Sequence, residues 1–335
     1  MRKNFVPLYI RHQRFRLHRY LKRPHKGINW VAAHIILWLY NFVTLLKLTL
    51  REFTADKAFR HGAALSYYTI FSLPPILVIL ISGLGFFLGE ADIQQQLMVQ
   101  IGELFGQEGR KQLLYVINHF RNNQDSSLSA LIGFGTLIFT STAVFYALQN
   151  SLNEFWKVQQ EKKKGIGRVV IDRLISFAMI VSLGALQLLS IFAEFLLKAF
   201  ERLISSYLPD YELITNIFVY SNMGISLSVT MILFAVIFKY LPDAHIRWKD
   251  VWVGSFFTLI LFLIGKQLIG WYIQNMQPGL TYGAAGSLVV ILLWVFYSSQ
   301  ILFLGAEFTY VYSKKHGQEI ISSNNRITQK EIQDA

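Results

Sequence analysis

Apolar residues gather in long blocks along this chain, with shorter polar stretches between them. The blocks cover residues 31–50, 62–89, 127–150, 174–197, 217–240, 251–273 and 284–312. At about 1.5 Å of rise per residue, ~20 residues cross a hydrocarbon core of about 30 Å. Each block is therefore long enough to span a bilayer as a helix. The first is interrupted by His34, Asn41 and Lys47. If it crossed, every later segment would reverse and the basic loop at 157–168 would lie outside. Residues 31–60 are therefore read as an amphipathic helix lying in the cytosolic interface. Between 90 and 126, Ile93, Leu97, Ile101, Leu104 and Phe105 recur at helical spacing, and so do Leu113, Leu114, Ile117 and Phe120. That period predicts two amphipathic helices on the outer face.

Charge then orients the blocks. Basic residues crowd residues 1–30 (Arg2 through Lys26), the loop with Lys157, Lys162, Lys163, Lys164 and Arg168, the short loop with Arg247 and Lys249, and the tail with Lys314 and Lys315. The intervening loops are poor in base, and residues 274–281 carry no charge. Six spans with both termini cytosolic put all the basic segments on one side, as the positive-inside rule requires. The expected architecture is all-α and polytopic. It has a basic cytosolic tail at 1–30, an interfacial helix at 31–60, a six-helix transmembrane domain at 61–313 and a polar, mostly disordered cytosolic tail at 314–335.

Composition narrows the class. The chain is 53% hydrophobic and 16% charged, with a net charge of +12. That is the balance of a membrane protein rather than a soluble core. The excess base fits cytosolic loops and attraction to anionic lipid at the N-terminal tail, and it makes nucleic acid the less favoured partner. Membrane lipids are the expected partners; the oligomeric state is not readable from the sequence. With no cysteine there is no disulfide, thiolate nucleophile or Cys metal site.

Candidate chemistry is confined to polarity inside the spans. Pro74 and Pro75 lie near the middle of the first span and remove two backbone donors in succession, which predicts a broken helix. Backbone broken at that depth faces either protein or a watery cavity. Lys266 lies deep in the fifth span, where it either faces a cavity that receives an anion or forms a salt bridge with Glu194. Glu307 sits one to two turns inside the cytosolic end of the sixth span, within reach of His61 or Arg60. That pair is either a gate or an ion pair joining the first and last helices. Gln300, Tyr67 and Tyr68 are candidate cavity liners, or simply partners across helices. Gly85 with Gly89, and Gly283, Gly286 and Gly305, are small residues suited to close helix packing. The eight histidines are scattered, and no HExxH, Walker A, Rossmann or GxSxG motif occurs. No cofactor, metal or enzymatic activity is expected.

Three stretches carry a family resemblance. They are Tyr282-Gly-Ala-Ala-Gly-Ser-Leu through Leu304-Gly-Ala-Glu-Phe308, Ala63-Ala-Leu-Ser-Tyr-Tyr through Phe71-Ser-Leu-Pro74, and Ala147-Leu-Gln-Asn-Ser-Leu-Asn-Glu-Phe-Trp156. Over roughly residues 50–315 the chain resembles the YihY/BrkB family of bacterial inner-membrane proteins. The resemblance implies a six-helix protein of the inner membrane with an envelope-related role. Members of that family once carried the label ribonuclease BN, but a zinc ribonuclease needs a tight set of His and Asp ligands, which this sequence does not supply. The expected function is a transporter or flippase-like factor for a lipid or other anionic amphiphile. A non-transporting scaffold is the alternative, and an RNA-processing enzyme is disfavoured.

Overall fold

The computed structural model describes residues 30–88, 142–158, 211–276, 286–316 and 320–322, with isolated positions between 91 and 118 and at 182 and 200. Their structure is almost wholly helical. Helix α1 runs Trp30–Ala55, α2 Ala58–Leu88, α3 142–155, α4 Tyr211–Tyr240, α5 Trp248–Met276 and α6 Gly286–Lys315. Strands β1 (Ala244–His245) and β2 (Ile321–Ser322) form one short antiparallel pair. The basic tail at 1–30 and the span expected at 174–197 fall outside the described residues, apart from Trp30 and Ser182.

Three helices among the described residues are long and apolar enough to cross a membrane, through Met223–Tyr240, Trp248–Tyr272 and Leu288–Lys315. Helix α5 marks the band it fits. Exposed Trp248 and Trp252 sit near its start and exposed Trp271 and Tyr272 near its end. Trp252 and Trp271 are nineteen residues apart, or about 29 Å of helix. Aromatic rings at both edges of a hydrocarbon layer occupy such positions.

Helix α6 is the central strut, packed against α5, α2 and α1. Its seam with α5 is built from two matched pairs. A Cβ on Gly254 would lie 1.8 Å from Thr309 Oγ1, and a Cβ on Gly305 would lie 1.9 Å from Thr258 Oγ1. Each threonine fills the notch of the opposite glycine, so the two helices run antiparallel at close range. Each hydroxyl donates within its own helix, Thr258 to the Gly254 carbonyl and Thr309 to the Gly305 carbonyl, both at 2.7 Å. No threonine oxygen is then left unpaired in the seam.

Helix α1 turns Leu45 toward Phe308 and Val311 of α6. Nearer its start it exposes Ile35, Ile36, Trp38 and Leu39. It ends at Ala55, so the stretch expected as one interfacial helix over 31–60 contains a corner at Asp56-Lys57 and the first turn of α2. At the opposite end of the bundle, Met98 and Ile117 from the expected outer amphipathic segments are buried with Leu77 and Ile81 of α2 and Ile291 of α6.

One expectation is corrected. Helix α2 continues through Pro74 and Pro75 to Leu88 rather than breaking there. Proline's fixed φ is compatible with helix; what it removes is a donor to the carbonyl four residues back, here Ile70 and Phe71. The tail expected to be polar and mostly disordered is held at one point among its described residues. Ala244 pairs with Ser322 and His245 with Ile321, which fastens it to the turn between α4 and α5.

Candidate functional site

A cluster of polar side chains in mutual contact lies at one end of the bundle, where α1 turns into α2, α3 ends, α4 turns into α5 and α6 approaches its last turns. The α1–α2 corner is tight. Asp56 N–H donates to the Glu52 carbonyl at 2.8 Å, Lys57 N–H to Thr54 at 3.2 Å, and Arg60 N–H to Lys57 at 2.8 Å. Lys57 has φ 57°, the left-handed turn that ends a helix. Glu52 and Asp56, four apart, thereby share one face of the corner.

Helix α3 ends in a similar way. Lys157 has φ 57°, its N–H donates to the Glu154 carbonyl at 3.1 Å, and Val158 N–H donates to Asn153 at 2.9 Å. This is the paired Schellman closure, with lysine where glycine usually sits. The closure aims the Lys157 ammonium at the α1–α2 corner. There it donates to the Asp56 carboxylate and lies 3.9 Å from that of Glu52. Burial alone lowers the lysine's hold on its proton. The hydrogen bond and charge of Asp56, with the charges of Glu307 and Glu52, outweigh it, so the Lys157 pKa is raised.

Against this pair stands Glu307 of α6. It is fully buried, and among the described residues neither carboxylate oxygen has a hydrogen-bond donor. Its electrostatic neighbours are Asp56, Lys157 and Glu52. One residue away, the Trp156 indole donates to the Ala306 carbonyl at 3.1 Å and ties the end of α3 to α6.

His61 does not pair with Glu307, as the sequence suggested. Its Nδ1 lies 3.0 Å from Ser151 Oγ and its Nε2 3.4 Å from the Glu154 carboxylate. The ring is wedged beside Phe155 and Phe303. A serine, a histidine and a glutamate in a row invite comparison with a nucleophilic triad. Here the Ser151 hydroxyl donates to the Ala147 carbonyl at 2.8 Å and the residue is buried. The row is a tie between α2 and α3. Arg60, the other expected partner of Glu307, is exposed.

Two further ties lock the same end. Asn153 Nδ2 donates to Asp243 Oδ2 at 3.0 Å, and Asp243 N–H donates back to Asn153 Oδ1 at 2.8 Å. Buried Asp250, in the first turn of α5, accepts from Ser313 Oγ at 3.1 Å. Next to these, Gln300 of α6 lies over Gly62 of α2, where a Cβ would sit 1.9 Å from its amide nitrogen. Both polar atoms of the Gln300 side chain are buried without a partner among the described residues.

The other expected site residues lie apart from this cluster. Tyr67 and Tyr68 are exposed on α2, in ring contact with each other, and Tyr67 also touches Phe71. Lys266 is exposed on α5. It lies five residues before Trp271. Glu194 is outside the described residues. Pro74, Pro75 and Gly85 lie within α2, Gly286 is buried at the start of α6, and Gly89 and Gly283 lie outside the described residues.

Sequence reasoning missed Glu52 and Asp56, counted Lys157 only as loop charge, and overlooked Gly254, Thr258 and Thr309. The repeated G-x-x-x-T in α5 and α6 was the available signal. Among the described residues no group of three or more His, Asp or Glu side chains is placed to hold a metal ion.

The family model described as Virulence factor BrkB matches residues 49–327. Similar proteins include a UPF0761 membrane protein of Acinetobacter baylyi, 26% identical over 272 residues, which covers 81% of this chain and 62% of that protein. A UPF0761 membrane protein of Delftia acidovorans is 24% identical, covering 78% of this chain and 60% of its own. One from Pseudomonas aeruginosa is 27% identical, covering 76% and 59%. The chain thus spans about three fifths of the length of the curated relatives it matches. No solved structure matches it.

Proposed function

The chain belongs to the virulence factor BrkB family, whose similar members are named membrane proteins, and on that premise we propose that it moves a lipid or other anionic amphiphile in the bacterial inner membrane. The observation that carries this reading is Glu307, a carboxyl buried without a hydrogen-bond donor among the described residues, in a helix long and apolar enough to cross a bilayer. Such a group is costly in a membrane and is kept where ions or substrates pass. The reading gives the chain six spans. It makes the end that holds Lys57, Lys157, Lys239, Arg247 and Lys314 cytosolic by the positive-inside rule, which leaves both termini in the cytosol. It assigns no chemical transformation to the chain.

The test is reconstitution into liposomes with a fluorescent anionic phospholipid in one leaflet. Wild type is expected to move the lipid faster than protein-free vesicles, and Glu307→Gln to reduce that rate by tenfold or more. Wild-type movement no faster than in protein-free vesicles ends the reading for lipids.

A second reading, a membrane scaffold with no transport, draws on the α5–α6 seam. Matched glycine–threonine notches suit a rigid frame better than a moving one. That reading expects background flux from both proteins in the same assay.

A further inference from the structure

Among the described residues the cluster around Glu307 has more carboxyl groups than cations. Facing one another are Glu52 and Asp56 from α1 and its corner, Glu307 from α6 and Lys157 from the end of α3. The other elements bring charges that are already engaged. His61 of α2 is held by Ser151 and Glu154, and Asp250 of α5 by Ser313, with Arg247 at 3.7 Å. On α6 itself Tyr310 accepts from Lys314 at 3.3 Å. Lys157 is committed to Asp56. Among the described residues Glu307 therefore has no cation of its own, although it is fully buried.

An ionised carboxylate in that position would lack both water and a donor, and such burial is prohibitive. A second relation points the same way. The Glu307 carboxyl faces that of Asp56. As carboxylates, both are acceptors only. One proton turns the facing pair from a repulsion into a hydrogen bond, with Glu307 donating and Asp56 still accepting from Lys157.

We propose that Glu307 is a proton-binding site whose proton is held against Asp56 and exchanges with the cytosolic side through the Glu52–Asp56–Lys157 corner. The step is a simple equilibrium: the carboxylate takes one proton from water to become the acid and returns it on release. The inference deepens the transport reading and rests on it only for what the proton would drive.

Infrared spectroscopy of the full chain in lipid bilayers tests it without any flux. At neutral pH the wild type is expected to give a carboxylic-acid C=O band that shifts when glutamate alone is labelled with carbon-13. The band should move on transfer to heavy water, disappear in Glu307→Gln, and change frequency in Asp56→Asn as the hydrogen bond is altered. If Glu307→Gln does not fold, the labelled wild type still decides the matter. The absence of a glutamate-derived acid band overturns the proposal, and so does a band unchanged in Glu307→Gln. A band that does not move in heavy water overturns the exchange with the cytosolic side, and one unmoved by Asp56→Asn overturns the pairing. A proton found with no lipid flux would leave this site standing and remove the transport reading; flux with no proton would do the reverse.

Discussion

The indole of Trp156 donates to the backbone carbonyl of Ala306 at 3.1 Å, so the end of α3 is fastened to α6 one residue from Glu307. Trp156 is almost fully buried and its ring meets that of Phe238. Replacing it with phenylalanine keeps most of the packing and deletes the donor. The expected loss is about 1–2 kcal/mol of stability, and Trp156→Ala should lose about 3–5 kcal/mol through the cavity it leaves. Thermal unfolding in detergent micelles measures both. Equal stability of Trp156→Phe and wild type would show that the hydrogen bond contributes nothing.

The α5–α6 seam yields a double-mutant prediction. Gly305→Ala places a methyl 1.9 Å from Thr258 Oγ1, and overpacking of this kind costs about 1–3 kcal/mol. Combining it with Thr258→Ala removes the clashing oxygen, so part of the loss should return. The coupling in a double-mutant cycle is then favourable. Additive losses in the unfolding midpoints would mean that the two residues do not share a notch.

What the sequence made legible was what hydropathy and charge can carry. Helix α4 was expected from 217, α5 over 251–273 and α6 over 284–312; they run Tyr211–Tyr240, Trp248–Met276 and Gly286–Lys315. Periodicity locates apolar helices well because burial in lipid demands an unbroken run. Glu307 stood out because charge is rare in such a run. Its partners did not, because Asp56 and Lys157 lie about 100 residues apart, with the second and third apolar blocks between them. Only the corner at Lys57 and the closure at Lys157 bring them together, and the φ values of those two lysines leave no mark in a pattern of apolar and polar letters. The two prolines misled for a related reason. They specify which donors are missing, while the surrounding helix decides whether the backbone bends.

Lys157 sets an alkaline limit. Its pKa is raised in the folded chain, so the stability it contributes is fully present below its unfolded value of about 10.4. That contribution is lost as pH rises through the folded value. Lys157→Met should therefore be less stable than wild type by a constant amount across neutral pH, with the gap closing only above about pH 10.4. Unfolding midpoints of both proteins over the alkaline range check this. A gap that closes nearer neutrality would contradict the ion pair with Asp56.

The two lysines at φ 57° offer a comparison in which the backbone is the same and the side chain is not. Lys57 is exposed on the α1–α2 corner, whereas Lys157 reaches Asp56. A left-handed residue other than glycine costs about 1–2 kcal/mol. Lys57→Gly should relieve that strain and leave the chain as stable as wild type, or more stable by up to about 1 kcal/mol after the added freedom of the unfolded glycine is counted. Lys157→Gly relieves the same strain but strips the cation from Asp56 and Glu52 beside buried Glu307, so it should destabilise. Opposite signs in the two unfolding midpoints would establish that Lys157 is kept at a strained position for its charge. Equal shifts would reduce both residues to helix ends.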